Sequence, residues 1–124
     1  ESWRMWVLCD REPVKNWSQG RTTLLGDAAH PMLQYLAQGA CMAMEDGVVL
    51  AQEIEKCQGD FESAFKAYQA RRYLRTGRCQ VMARVHGEFY HAEGVAAELR
   101  NNMLGTRTPE QAYAGLSWLY DAVI

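Results

Sequence analysis

The sequence lacks the patterns that would assign it at once to a nucleic-acid-binding, membrane or repeat protein. It has no run of basic residues and a net charge of -2 at pH 7, so neither nucleic acid nor an anionic membrane is an expected partner. No signal-peptide pattern and no apolar stretch of about twenty residues occurs within these 124 residues. Internal repeats and low-complexity tracts are absent. With 124 residues, 48% of them hydrophobic, the chain fits one globular domain with a packed core.

The cysteines also lack a pattern that would indicate a metal site or a disulfide framework. Cys9, Cys41, Cys57 and Cys79 include no closely spaced pair, and such pairs mark metal sites. All four lie in apolar or helical segments, so we interpret them as buried, reduced thiols. The histidines show no zinc-ligand spacing either, and no metal is expected. A reducing cytoplasm is the location that this pattern favours.

Strand signals are confined to the first part of the chain. An extended segment from Trp3 to Asp10 would place Trp3, Met5, Val7 and Cys9 on one face, which predicts a strand, and the sequence 11–13 ends it. A turn is expected at 17–20, followed by a short buried strand from Arg21 to Leu25. Because the chain begins at Glu1 rather than Met, and already within the first strand, we expect a piece of a longer protein.

Helical signals dominate the rest of the chain. Asp60 can cap a helix in which Gly77 is a weak point. Thr108, Pro109 and Gln111 match a capping box at the start of the last helix. Helices are therefore expected over residues 39–56, 60–86, 93–103 and 109 to the C-terminus. The expected fold is mostly α with two short β-strands.

The most informative segment runs from residue 20 to residue 54. A predicted strand leads to Gly26 and Asp27, an apolar loop follows, and Gln38 and Gly39 begin a hydrophobic helix. An aspartate there can accept hydrogen bonds from polyol hydroxyls, and glycine lets a ligand approach the backbone closely. Unpaired amides and the helix dipole favour negative charge. A reduced flavin, with its ribityl chain and anionic ring edge, suits such a site.

These residues resemble the second FAD-binding motif of the group A flavoprotein monooxygenases, which include salicylate, 3-hydroxybenzoate and 4-hydroxybenzoate hydroxylases. The resemblance lies in Gly26-Asp27-Ala28-Ala29-His30-Pro31, in Gln38-Gly39-Ala40 and in Glu45-Asp46, at matching offsets. Weaker similarity extends through residues 7–13 and the tail 89–120. The resemblance as a whole implies that the chain is the C-terminal fragment of an α/β FAD-binding monooxygenase with a Rossmann-like, glutathione-reductase-type fold.

The resemblance also implies an organisation in three parts. Residues 1–25 would be the end of the substrate sheet and its return strand, 26–57 the flavin-binding loop and helix, and 58–124 the C-terminal helices. No GxGxxG fingerprint occurs in the sequence, so the part that binds the adenine and pyrophosphate is expected upstream. That N-terminal half would be the main partner, and the fragment alone is not expected to be a working enzyme.

Roles for individual residues follow from the same resemblance. Asp27 would hydrogen-bond the ribityl chain, and Pro31 with its loop would line the isoalloxazine ring. Backbone amides of residues 38–40 would stabilise negative charge at the pyrimidine end. Gln34 would bind the phenol or carboxylate of the aromatic substrate, which favours a 3-hydroxybenzoate-like hydroxylase. The implied cofactor-binding residues are Gly26, Asp27, Pro31, Gln38, Gly39 and Ala40.

The implied reaction uses FAD, with NADH or NADPH as co-substrate, and O2. Reduced FAD and O2 give a flavin C4a-hydroperoxide, whose distal oxygen attacks an electron-rich ring. The first choice of reaction is 6-hydroxylation of 3-hydroxybenzoate to gentisate, and salicylate hydroxylation is the alternative. The catalytic base for the phenol is not identified and is expected upstream. A non-catalytic helical interaction module that has kept the motif is the competing hypothesis.

Several polar residues have two interpretations. His30 could be a base, but its place in the turn of the motif favours a structural role. Glu45 and Asp46 point in different directions on a helix, which favours capping or interhelical hydrogen bonds over a catalytic pair. The arginines at 71, 72 and 75 could bind the phosphates of NAD(P)H, and a salt-bridged helix face is the simpler interpretation.

The apolar character of the central helix and its loop has a further consequence. Both should pack against the upstream half of the parent protein. In a fragment, the exposed apolar surface would favour self-association or a loosened monomer. Homo-oligomerisation of the whole protein stays open.

Overall fold

The computed structural model describes residues 2–121, and most of them are helical. Two 3-10 turns, Gly26–Ala28 and Gln34–Leu36, precede the first long helix. The helices of the described range are α1 Gly39–Lys56, α2 Phe61–Tyr90, α3 Gly94–Gly105 and α4 Pro109–Tyr120. The mostly helical fold is confirmed. The expected continuation of α4 to the C-terminus concerns residues 122–124, which lie outside the described residues.

The helix-start signals of the sequence correspond to hydrogen bonds in the structure. The carboxylate of Asp60 accepts from the backbone amide and the hydroxyl of Ser63, at 3.3 and 2.6 Å. Thr108 and Gln111 form the reciprocal capping box, with distances of 3.3 and 3.0 Å. Gly77 does not interrupt α2. A Cβ at this position would lie 3.2 Å from Cβ of Pro13, so the missing side chain allows the proline to pack closely.

The two strands are β1, Ser18–Gln19, and β2, Thr22–Thr23, which form a small antiparallel hairpin. Ser18 lies opposite Thr23, and the two hydroxyl oxygens are 2.8 Å apart in a hydrogen bond. The expectation of two short strands is confirmed, but their positions differ from those predicted. The segment predicted as a turn contributes β1.

The predicted strand from Trp3 to Asp10 is wrong for the described part of the chain, where these residues form no ladder. Trp3 and Trp6 are 102% and 79% exposed. Alternating side chains make a segment suitable for a strand, but a strand also needs a neighbour to exchange hydrogen bonds with. The predicted buried strand over 21–25 is also wrong in extent, since only two residues pair and Leu24 and Leu25 are exposed.

The core joins the hairpin segment to the two long helices. Trp17, Ala29, Val49 and Tyr68 are buried together, and the ring centroids of Trp17 and Tyr68 are 5.7 Å apart. The turn Gly26–Ala28 packs on α1. The loop that carries the motif is therefore seated directly on the core. Among the described residues, no helix is long and apolar enough to cross a membrane.

The cysteines differ in burial more than the sequence suggested. Cys79 is buried in α2, and burial raises the pKa of its thiol. Cys41 and Cys57 are half-buried, and Cys9 is exposed. The prediction of a buried thiol is confirmed for Cys79 and wrong for Cys9, because the segment around Cys9 has no neighbouring strand to cover it.

The chain divides into two compact units, the first ending at His86 and the second beginning at Gly87. Within the second unit, the guanidinium of Arg100 donates to the backbone carbonyls of Phe89 and Tyr90 at 3.2 and 3.0 Å. These bonds fix the middle of α3 to the end of α2. The motif and its supporting residues all belong to the first unit.

Candidate functional site

The turn that carries the motif approaches α1 closely at a glycine. Gly26 has φ +58°, and a Cβ there would lie 3.1 Å from Cβ of Ala43. Both the backbone conformation and the contact therefore disfavour any other residue at this position. The carbonyl of Gly26 accepts from the amides of Ala29 and His30, each at 2.9 Å. The result is a tight turn with Asp27 near its apex.

One buried carboxylate in α1 holds both ends of this turn. Oδ2 of Asp46 accepts from the backbone amide of Gly26 at 3.1 Å and from Nε2 of His30 at 2.6 Å. Oδ1 of the same carboxylate accepts from Nε of Arg72 in α2 at 2.7 Å. Asp46 and His30 are fully buried, and Arg72 is nearly so. Asp46 therefore joins the turn, α1 and α2.

The hydrogen bonds decide the charge of Asp46. Burial alone would raise the pKa of the carboxyl group, but the bonds from His30, Arg72 and the Gly26 amide outweigh it, and the pKa lies below its usual value. Because a carboxylate only accepts, Nε2 of His30 carries the hydrogen. Nδ1 of His30 is buried with no partner in the described structure, so a hydrogen there would lack an acceptor. The structural interpretation of His30 is supported, because Nε2 of its ring is hydrogen-bonded to Asp46.

Glu45, the neighbour of Asp46, faces the arginines of α2. It accepts from Nη1 of Arg72 at 2.6 Å and from Nε and Nη2 of Arg75 at 2.7 and 2.6 Å. Burial would raise the pKa of Glu45, and the hydrogen bonds from the two arginines lower it below its usual value. Arg71 is paired with Glu53 of α1 at 2.5 Å. The interpretation of these residues as interhelical ion pairs is confirmed.

Two further side chains hold the loop by its carbonyl oxygens. Arg11 donates from Nη2 to the carbonyls of Ala28 and Ala29 at 2.9 and 2.6 Å. Gln80 donates from Nε2 to the carbonyl of Pro31 at 2.9 Å. Neither residue was singled out from the sequence. No local signal marks them, since both act on residues far away along the chain.

The candidate ligand site lies where Asp27 meets the start of α1. The Asp27 side chain is exposed and forms no hydrogen bond or ion pair with another described residue. Its Oδ1 lies 3.7 Å from the point that a Cβ of Gly39 would occupy. Gln38 precedes the helix without a side-chain cap, and the first intrahelical amide bond is that of Met42. The amides of residues 39–41 therefore remain available to an acceptor.

The structure brings only part of the predicted site together. Gly26, Asp27 and Gly39 are adjacent, and the Gln38 side chain is buried at the same helix start. Pro31 is half-buried, and Gln34 is exposed in the second 3-10 turn. None of the side-chain hydrogen bonds in the described structure involves Gln34. Its predicted substrate contact therefore stays a prediction. Within residues 2–121, no cluster of three or more metal-ligating side chains occurs.

Comparison with known proteins shows the family to which the chain belongs. The FAD binding domain family matches residues 3–82. The chain belongs to this family of FAD binding domains. It is 51% identical over 120 residues to a 3-hydroxybenzoate 6-hydroxylase of Polaromonas naphthalenivorans (strain CJ2), covering 97% of this chain and 30% of that protein.

Other relatives act, by their names, on similar aromatic compounds. A 3-hydroxybenzoate 6-hydroxylase of Klebsiella oxytoca is 48% identical over 96% of the chain and 30% of its own length. A 3-amino-4-hydroxybenzoate 2-monooxygenase of Streptomyces platensis is 40% identical over 93% of the chain and 28% of its own length. The resemblance to flavin-dependent aromatic hydroxylases is confirmed. The chain spans about 30% of the length of the 3-hydroxybenzoate hydroxylases it matches.

The lowered pKa of Asp46 makes stability depend on pH. Its unfolded-state pKa is about 3.9, and its folded-state pKa lies lower. The charged carboxylate therefore contributes its full stabilisation above the unfolded value and loses it as the pH falls through the folded value. We expect Asp46→Asn to lower the free energy of unfolding by about 3 kcal/mol or more at neutral pH, because buried Arg72 loses one of its two carboxylate partners and keeps only Glu45. Urea unfolding at pH 3 to 7 measures both effects.

The matched control is Glu55→Gln, which removes an exposed carboxylate from the same helix. We expect it to change the free energy of unfolding by no more than about 0.5 kcal/mol. The acid-side decline in stability should be shallower in D46N than in E55Q. Equal stability of the two variants at neutral pH would contradict the role given to Asp46.

Proposed function

We propose that this chain is the flavin-contacting C-terminal part of an FAD- and NAD(P)H-dependent monooxygenase. The proposed reaction is the hydroxylation of a hydroxybenzoate-type ring with O2, with conversion of 3-hydroxybenzoate to gentisate as the best choice. The observation that supports it most is the exposed carboxylate of Asp27 beside the start of α1, within a chain of the FAD binding domain family. The names of the relatives support the choice of substrate.

The residues at this site fit a flavin. The Asp27 carboxylate can accept hydrogen bonds from the ribityl hydroxyls, because no described residue occupies it. The amides of Gly39 and Ala40 can donate to the pyrimidine edge, where the helix dipole favours negative charge. Gly39 has no Cβ between Asp27 and the helix start, so a planar ring can approach the backbone. When bound and reduced, FAD supplies the oxygen chemistry that protein side chains lack.

The remaining predicted residues complete the proposal. Pro31 and the apolar loop after it line the ring and exclude water from it. Gln38, at the N-cap of α1, contributes its backbone amide beside those of residues 39–40. Gln34 binds the phenol or carboxylate of the substrate. The base that deprotonates the phenol belongs to another part of the whole protein.

The proposed parent protein has a Rossmann-like α/β fold of the glutathione-reductase type. In it, residues 1–25 end the substrate sheet, 26–57 form the flavin loop and helix, and 58–124 form the C-terminal helices. The exposed apolar side chains among residues 3–8 support this assignment, because a large exposed apolar patch ordinarily marks a surface that another part of a protein covers. A location in the cytoplasm and homo-oligomerisation of the whole protein stay predictions.

The reaction is tested with the full-length protein. We expect a visible flavin spectrum, and NADH oxidation that 3-hydroxybenzoate stimulates with formation of gentisate. If salicylate stimulates NADH oxidation and 3-hydroxybenzoate does not, the protein is the alternative, a salicylate hydroxylase. A colourless protein that takes up no added FAD and oxidises no NADH would overturn the proposal and favour a non-catalytic interaction module.

The flavin contact is tested by removing the Asp27 carboxylate or by filling the space of Gly39. We expect Asp27→Ala to raise the FAD dissociation constant about tenfold or more, since hydrogen bonds to a charged group contribute about 1.5–3 kcal/mol. Gly39→Ala should also weaken FAD, because its methyl group occupies the approach to the helix start. Fluorescence titration of the full-length apoprotein measures both constants.

Gly47→Ala is the matched control for the glycine variant. Gly47 lies in α1, and apart from its chain neighbours and the backbone of its own helix no atom lies within 4 Å of the Cβ that alanine would add. The G47A variant should bind FAD with the same dissociation constant as the wild type. Asp27→Ala should also keep the melting temperature of the wild-type apoprotein, because the Asp27 side chain forms no hydrogen bond or ion pair with another described residue. If D27A and G39A bound FAD as tightly as G47A, the assignment of the site would be wrong.

A further inference from the structure

The side chain of Gln80 connects two loop segments that are distant in sequence from α2. It is 1% exposed, and its amide nitrogen donates to the carbonyls of Pro31 at 2.9 Å and Arg11 at 3.1 Å. A primary amide has two N–H groups, so both can be used in these bonds. Buried polar groups are ordinarily paired in this way. Because one of the two acceptors is the carbonyl of Pro31, Gln80 is hydrogen-bonded directly to the flavin-contacting loop.

Arg11 extends the influence of Gln80 to the motif itself. While Gln80 holds the backbone of Arg11, the Arg11 guanidinium donates to the carbonyls of Ala28 and Ala29. One helical turn after Gln80, Arg84 forms ion pairs with the carboxylates of Asp10 and Glu12. The segment 10–12 is therefore fastened to α2 at three consecutive residues. This fixes the direction from which Arg11 reaches the loop.

Gln80 thus binds the carbonyl of Pro31 directly. Arg11, whose backbone Gln80 holds, binds the carbonyls of Ala28 and Ala29. The amide of Gly26 and the ring of His30 are held by Asp46. These polar groups of the loop are directed towards the protein. Asp27 is the side chain of the turn that remains directed to solvent and unpaired among the described residues.

We propose that Gln80 is a positioning residue for the flavin-contacting loop. It sets the position of Pro31 directly and that of the Asp27 turn through Arg11, relative to the start of α1. This inference rests on the proposed function, because the positioning role requires that the loop contacts a flavin. Gln80 itself does not touch the flavin; it acts through the backbone of the loop.

The test compares Gln80→Met with Gln69→Met in the full-length flavoprotein. Methionine keeps the length of the side chain and removes its hydrogen bonds. Gln69 is a matched control, because it also lies in α2 and its Oε1 accepts from the backbone amides of Trp17 and Ser18 at 2.7 and 3.1 Å. It supports the hairpin and forms no hydrogen bond with the flavin loop. Both variants should lower the melting temperature.

FAD binding distinguishes the two variants. We expect Q80M to raise the FAD dissociation constant by between about tenfold and a hundredfold, which is the loss that removal of an outer-shell hydrogen-bond partner typically causes at metal sites, and to shift the visible flavin spectrum. Q69M should match the wild type in both measurements. Equal dissociation constants and spectra for Q80M and Q69M would overturn the positioning role. Failure of the wild-type protein to bind FAD would instead overturn the proposed function.

Arg11→Met provides the same test if Q80M does not fold. The Arg11 side chain is exposed, so its loss leaves no buried gap, and the guanidinium bonds to Ala28 and Ala29 are removed. We expect R11M to keep its far-UV circular dichroism and to bind FAD at least severalfold more weakly than the wild type. Wild-type affinity in a folded R11M would overturn the inference.

Discussion

The carboxylate of Asp46 is a charge buried in the protein interior, and the arrangement of the motif loop depends on how that charge is compensated. An unpaired carboxylate there would be expensive in free energy, and removing one partner of a buried pair typically costs about 3–5 kcal/mol. Asp46 is compensated by Arg72 of α2 and also by two donors of the loop, Gly26 and His30. Folding cannot satisfy the charge without bringing α1, α2 and the loop together.

This constraint has a consequence for ligand binding. The polar groups of the loop that Asp46, Arg11 and Gln80 engage are directed inwards, and Asp27 is left beside the amides at the start of α1 that have no intrahelical partner. Such a site needs little rearrangement when a ligand arrives, and preorganisation lowers the free-energy cost of binding. The catalytic chemistry we propose belongs to the flavin. The contribution of this chain is the position of the groups that receive it.

The sequence predicted the elements whose signals are local. The bounds of α1 and the capping box of Thr108 agree with the structure because periodicity and capping depend on a few neighbouring residues. The strand at Trp3 to Asp10 failed because a ladder depends on a partner elsewhere. The site was predicted through the motif around Asp27. Gln80 and Arg11 could not be found, because their hydrogen bonds to the loop depend on how distant segments meet.

A crystal structure of the full-length protein with FAD bound would show most directly whether Asp27 receives the flavin. We predict that a ribityl hydroxyl lies within about 3.2 Å of the Asp27 carboxylate, while Asp46 keeps its bonds to Gly26, His30 and Arg72. FAD bound away from Asp27, or a loop in which Asp46 has released Gly26, would contradict this prediction.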